Sequence, residues 1–375
     1  MDRVFEERPK FANWVNKVLG SHQAMLLNKF RIYCDLGNSY LADLDEWLRY
    51  AFERSVQRLE VNLLPHGPGS YPSTECYVFP SAFVAQKSWH SLKLLILKHV
   101  LISGGNLEFF LRNCKFLESV VVCASRDLQT LNVCGPSLTL RHLDIGFCPL
   151  KTLIISNVNL ISLKIDRPKA MTLRNVPQLV HVEIRTISFA VEDFVDRLSC
   201  CFFKLEVLSL FMNPKDIREY ERKMPELPAL KQLVVVLYLF KEESMSGLTS
   251  FFRAAPNLEK FVIKTRYPFR KMLGTSRKSE NVVQYSVQHL RVVEMHEYRG
   301  RSVEIQLVKY LLENAMSLEK IVVDPRYEFL GLGFEPWFIH SNVRSLEAEI
   351  TNDGRRCAEK QLGGIIPSHV ALQIL

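Results

Sequence analysis

Ten histidines and nine cysteines are the side chains in this 375-residue chain best suited to chemistry. Imidazoles can shuttle protons or bind a metal, and thiols can attack or pair. Neither set is spaced for such work. The cysteines at 34, 76, 114, 123, 134, 148, 200, 201 and 357 form no C-x-x-C pair, and no histidine lies at zinc-site spacing. Cys200 and Cys201 read as packing residues, because adjacent cysteines seldom close an unstrained disulfide. The phosphate-cradling motifs G-x-x-x-x-G-K-[ST] and G-x-G-x-x-G do not occur, and neither do H-E-x-x-H or G-x-S-x-G. "GLGF" at 331–334 is short enough to be a turn. His142 and His181 have no positioned companion for catalysis. The expectation is a chain that is not an enzyme, with no catalytic residue, no cofactor and no metal.

Composition narrows the class further. Hydrophobic residues make up 47% and charged residues 23%, as in a globular protein. The net charge of +8 is spread along the chain rather than gathered on one stretch, which argues against a nucleic-acid partner. The opening "MDRVFEERPK" has no apolar core of a secretory signal. The longest apolar run, "LVVVLYLF" at 233–240, is too short to span a bilayer. Unpaired cysteines in apolar surroundings suit a reducing compartment, cytoplasmic or nuclear, with no membrane partner.

The elements that would position any site repeat. "LRHLDIGFCPL" at 140–150 fits the leucine-rich signature L-x-x-L-x-L-x-x-N/C-x-L at every fixed position. "LEVLSLFMN" follows it from Leu205 to Asn213. Further copies begin at Leu27, Val56, Leu92, Leu117, Leu160, Leu179, Leu230, Leu258, Leu290, Leu318 and Val343. Each is a period-two strand after a turn: in "LEKIVVD", Ile321 and Val323 face one side, and Lys320 and Val322 the other. Copies at Leu128 and Leu150 fall midway between the others and read as extended segments on the opposite side, with the reverse register also open. Amphipathic helices fill the gaps: Val308, Leu311, Leu312 and Ala315 make one stripe, and Phe11, Trp14, Val15, Val18 and Leu19 another. Leu44, Trp47, Leu48, Ala51 and Phe52 make a third, and all three stripes are assigned to the core. The fold class is therefore α/β. It is a leucine-rich-repeat solenoid (horseshoe) with irregular repeats, parallel concave strands, and helices and extended segments on the convex side.

Stacked strands turn the intervening residues into an extended binding face. The candidates are His142, Asp144, Ser162, Lys164, His181, Glu183, Arg185, Val207, Ser209, Phe211, Lys260, Val262, Lys320 and Val322. Their mix of charge, hydroxyl and apolar groups suits a protein substrate or partner better than a phosphate backbone. Any one of them, taken alone, is accounted for by surface solubility. Two stretches break the rhythm and read as loops: "PHGPGSYPST" at 65–74 and the basic "KTRYPFRKMLGTSRKSEN" at 264–281.

"FANWVNKVL", "LNKFRIYCDLG", "LDEWLRYAFERSVQRLEVNL" and "YVFPSAF" resemble the start of the leucine-rich region of plant F-box/LRR proteins. "HLRVVEMHEYRG", "VKYLLENAMSLEKIVVDPR" and the final "AEKQLGGIIPSHVALQIL" are similar to the FBD-type segment that ends such proteins. The likeness covers residues 11–375 and departs at "EYRG", where a Gly-aromatic pair before the final Gly is commoner. It implies a leucine-rich region over 1–284 and FBD-like repeats over 285–375, continuous with the solenoid. It also implies the substrate-recognition part of a subunit of an SCF-type E3 ubiquitin ligase. The F-box of that family, which docks on a Skp-type adaptor, has no counterpart here, so an adaptor is expected as a partner only if an F-box exists upstream. The alternative is an F-box-less scaffold or signalling protein outside the ubiquitin pathway.

Overall fold

The computed structural model describes residues 2–34, 36, 38–63, 76–84, 90–135, 138–166, 168–185, 197–212, 224–238, 246–266, 285–326 and 341–375. The expectations for 65–74, for Asn213, for 331–334 and for the basic stretch beyond Arg266 lie outside these residues. The described residues fall into two compact units, one up to Pro177 and one from Gln178 onward.

The first unit opens with α1 (Asp2–Ser21), β1 (Lys29–Tyr33), α2 (Leu41–Glu53) and β2 (Arg58–Asn62). It continues through β3 (Tyr77–Val78), α3 (Ser81–Val84), β4 (Leu94–Lys98), β5 (Val100–Leu101), α4 (Gly104–Asn113) and β6 (Ser119–Cys123). Then come β7 (Thr130–Cys134), β8 (His142–Gly146), β9 (Thr152–Ser156), β10 (Ser162–Ile165) and β11 (Ala170–Arg174). Strands β1, β2, β4, β6, β8 and β10 pair in that order, all parallel. The midway copies at Leu128 and Leu150 lead into β7 and β9 of a second parallel sheet, β7–β9–β11, so those segments take the register first assigned to them, and β11 is a third strand that no expected copy marked. Leu131, Val133, Leu153, Ile155, Met171 and Leu173 are the buried residues of that second sheet.

The second unit contains β12 (His181–Ile184), β13 (Val207–Met212), β14 (Gln232–Tyr238), α5 (Thr249–Ala254) and β15 (Lys260–Arg266). It ends with β16 (Val292–His296), α6 (Ser302–Asn314), β17 (Lys320–Asp324), α7 (Ser341–Leu362) and β18 (Ala371–Ile374). Strands β12 to β18 are sequential neighbours in one parallel sheet.

A repeated backbone device explains the stacking. In most repeats, the two amides that start a strand both donate to one carbonyl of the preceding repeat. Arg141 and His142 share Glu118 O, at 2.8 and 3.0 Å, and Glu319 and Lys320 share Arg291 O, at 2.9 and 3.0 Å. No side chain takes part, so the ladder tolerates the irregular spacing. Many strands then leave through a left-handed residue. His99, Ala124, Phe147, Asn157, Asn175 and Glu297 each follow a strand directly, with φ between 49° and 59°. The leucines of the signature fill the space beneath: Leu140, Leu143 and Ile145, and likewise Leu318, Ile321 and Val323, are buried. Each such side chain contributes roughly 1.5–3 kcal/mol.

Three sequence expectations change. The copy placed at Val343 is helix, within α7, because "SLEAEI" is rich in strong helix formers that outweigh its short alternation. The seventh strand of the second unit is β18 instead. On α1, Phe11, Trp14 and Val18 are 38%, 61% and 41% exposed. The face turned to α2 carries Ala12 and Asn16, and the Asn16 amide oxygen accepts from Trp47 Nε1 at 2.7 Å. Trp14 and Val18 lie about half a turn away from that face. Finally, "KTR" at 264–266 is strand rather than loop, and Arg266 is buried 3.4 Å from the Glu297 carboxylate.

Glu304, at the N-terminus of α6, is a buried carboxylate that period arguments miss. It accepts from Thr265 Oγ1 at 2.6 Å and from the backbone N–H groups of Arg299 and Arg301 at 3.1 and 2.8 Å. Burial pushes its pKa up, and these donors oppose the shift. Glu304→Ala strands three donors, and the expected loss in a denaturant titration is about 1–3 kcal/mol.

Candidate functional site

Because the strands pair in register, residues facing away from the core line up in rows across each sheet. In the first unit, His142 lies beside Ser162, and Asp144 beside Lys164. Leu94 and Ser119 continue the first row, and Ile96 and Val121 the second. His142 is exposed, Asp144 and Lys164 are half-buried, and Ser162 is buried.

In the second unit, His181 neighbours Val207, and Glu183 neighbours Ser209. Arg185 Nε lies 3.0 Å from Glu183 Oε1, so this acid–base pair is already matched within the chain. Farther along, Lys260, Val292 and Lys320 form one row, and Val262, Glu294 and Val322 the next. Phe211 sits beside Val236 in the third. All fourteen candidates therefore lie on or just beyond these strands. Ser162, Ser209 and Val262 are less accessible than the alternation implied, at 8%, 6% and 6% exposed. For Val262 the cause is local: the Lys260 arm reaches diagonally past it to Glu294, at 2.7 Å.

Sequence reasoning missed the ion network on this face. Lys260 pairs with Glu294, Glu294 approaches His296 Nε2 at 3.4 Å, and His296 Nδ1 lies 3.6 Å from Asp324. Arg326 grips Asp324 through two hydrogen bonds of 2.8 and 2.7 Å. The signal was present in "VVEMH", whose Glu294 and His296 alternate with buried Val293 and Met295. Partial burial works against both carboxylates, yet the cations beside them hold Glu294 and Asp324 below the usual range. A depressed folded pKa means stability that is present above the unfolded pKa, near 4, and is lost as pH falls through the folded value. Acid melting curves should therefore drop more steeply for the wild type than for Glu294→Gln below about pH 4.

Among the described residues, no three of His, Cys, Asp and Glu are placed to hold a metal. His99 is pushed down to about 4 by burial and then by Arg126, so its imidazole is neutral at physiological pH. Burial pushes the Cys114 and Cys148 thiols up to about 12, which keeps them protonated. Of the adjacent pair, Cys201 is buried as expected and Cys200 is exposed. No described helix is long and apolar enough to cross a membrane.

What the geometry offers is a broad, mixed, pre-aligned surface on each unit. Residues 75–375 match the family described as the At1g61320/AtMIF1 leucine-rich-repeat domain. An FBD-associated F-box protein of Arabidopsis thaliana is 23% identical over 369 residues, covering 85% of this chain and 84% of the relative. F-box/LRR-repeat protein 13 of the same plant is 23% identical over 363 residues, 85% of this chain and 78% of its own length. An F-box/FBD/LRR-repeat protein of that plant is 24% identical over 365 residues, 86% and 80% of the two chains.

Proposed function

Because the chain belongs to the At1g61320/AtMIF1 leucine-rich-repeat family, we propose that it is a non-catalytic protein-binding module. The partner lies on the outward face of the parallel strands, the concave side of a leucine-rich solenoid. One observation carries this reading: the outward residues of successive repeats stand in unbroken register, as in the row Lys260–Val292–Lys320. Such a row presents side chains every ~4.8 Å on a rigid backbone, which suits an extended protein surface rather than a small substrate.

The names of the relatives support a finer role. The module would choose substrates for an SCF-type ubiquitin ligase, in the cytoplasm or nucleus, with an adaptor contact only if an F-box exists upstream. A pull-down with a plant Skp-type adaptor tests that half of the reading. Capture of the adaptor by this chain supports it. Absence of capture by this chain together with any F-box encoded in frame upstream removes the ligase role and leaves the binding module.

A further inference from the structure

The outward face of the second unit is unlike that of a sheet built to meet water. Its strands "VLSLFM" and "QLVVVLY" are nearly continuous apolar runs. Parallel strands read this way when both faces are covered. The inward positions explain only half of them. On the outward side, Val207, Phe211 and Val234 are half-buried, and Val236 and Val262 are buried. The register sets Val234 beside Val262 and Phe211 beside Val236, so these four lie close together across β13, β14 and β15, with Ser209 beside Val234 and with Val207 at their edge beside Gln232. Farther along, Val292 stands between Lys260 and Lys320, and Val322 lies beyond Glu294, so charge interrupts the apolar surface over β16 and β17.

Charge on the same face is unevenly used. Glu183 and Arg185 pair with each other. Lys260, Glu294, His296, Asp324 and Arg326 form the continuous network described above. Lys320, half-buried beside Val292, has no ion-pair partner among the described residues. From β13 to β17 is four strand spacings, about 19 Å, or the reach of roughly six extended residues.

Building on the protein-binding reading, we propose that this face recognises an extended peptide segment with two or more apolar side chains and one carboxylate. The apolar side chains cover the Val207–Phe211–Val234 block, and the carboxylate meets Lys320. Val234 on β14 and Val207 and Phe211 on β13 lie three and four strands from Lys320 on β17, about 14–19 Å, so the acid stands about four to six residues from the apolar pair. The already paired network beside it contributes shape and excludes segments that bring a second unmatched charge.

The test uses the full chain and a phage-displayed library of random twelve-residue peptides, followed by anisotropy titration of the enriched sequences. The proposal expects enriched peptides with an apolar pair and an Asp or Glu about four to six residues away. It expects Lys320→Glu, at a half-buried position that needs no repacking, to weaken them about tenfold or more. Val234→Thr, which keeps the side-chain shape, should also weaken them, and His142→Ala in the first unit should leave them unchanged. Enriched peptides that are basic or wholly polar, or that ignore Lys320→Glu, overturn the proposal. If such peptides are instead weakened by outward substitutions elsewhere, binding by the sheet faces stands without this specificity. If no outward substitution in either unit affects any peptide, or none is enriched, the binding reading falls with it.

Discussion

Leu143→Ala and Leu318→Ala are each expected to cost about 2–5 kcal/mol of unfolding free energy. Leu143 is 1% exposed and Leu318 4%, one in each unit. Each loses transfer free energy and leaves a cavity between stacked strands that are pinned by backbone hydrogen bonds and cannot close over it. Lys320→Ala, two residues from Leu318 but facing outward, should change stability by less than about 0.5 kcal/mol. Denaturant titration of the three variants separates the two classes. Equal, small losses for all three would contradict the assignment of inward and outward faces.

Gly104→Ala is expected to be similarly severe. A Cβ at Gly104 would lie 1.8 Å from the backbone carbonyl oxygen of Thr130. The partner is strand backbone, not the end of a flexible side chain, so the helix must move. Ser103 caps α4 by accepting the Asn106 N–H at 3.2 Å. Glu108, one turn on, accepts the Asn132 N–H of β7 at 2.8 Å. Displacing the helix therefore strains its cap and its tie to the second sheet together. A loss of about 3 kcal/mol, at the upper end for overpacking, should appear in thermal or denaturant unfolding. Gly105→Ala next to it, where a Cβ meets nothing within 4 Å, is the matched control and should be nearly neutral.

The repeat was legible because leucine spacing encodes it directly. Leu140, Leu143 and Ile145 declare one strand by type and period alone, and two strands of the second sheet, β7 and β9, were legible from Leu128 and Leu150 in the same way, whereas β11 was not. The turns were not. Of the six non-glycine left-handed residues that follow strands among the described residues, Asn157 and Asn175 are of a type that favours that conformation. His99, Phe147 and Glu297 give no local sign, because the stacked backbone imposes their φ. Period also misled at Val343, where alternation over a few residues could not compete with helix propensity. The stripe on α1 was right in part: Phe11 packs edge-on against Trp47 and Val15 and Leu19 are half-buried, while Trp14 and Val18 face outward. For the candidate face, alternation identified which side chains point outward. It could not say which of them are covered by a neighbour, as Val262 is, or joined in a network spanning three strands.

The most direct test of the central claim is quantitative affinity capture with mass spectrometry on three forms of the full chain. These are the wild type, the outward variant Lys164→Ala/Lys260→Ala/Lys320→Ala, and a charge-matched variant, Arg112→Ala/Lys151→Ala/Arg174→Ala, at exposed positions off the main sheets. The account predicts that proteins enriched by the wild type are lost from the outward variant and kept by the matched one, with both variants folded. Retention of the same proteins by the outward variant, or their loss from the matched variant alone, would contradict it.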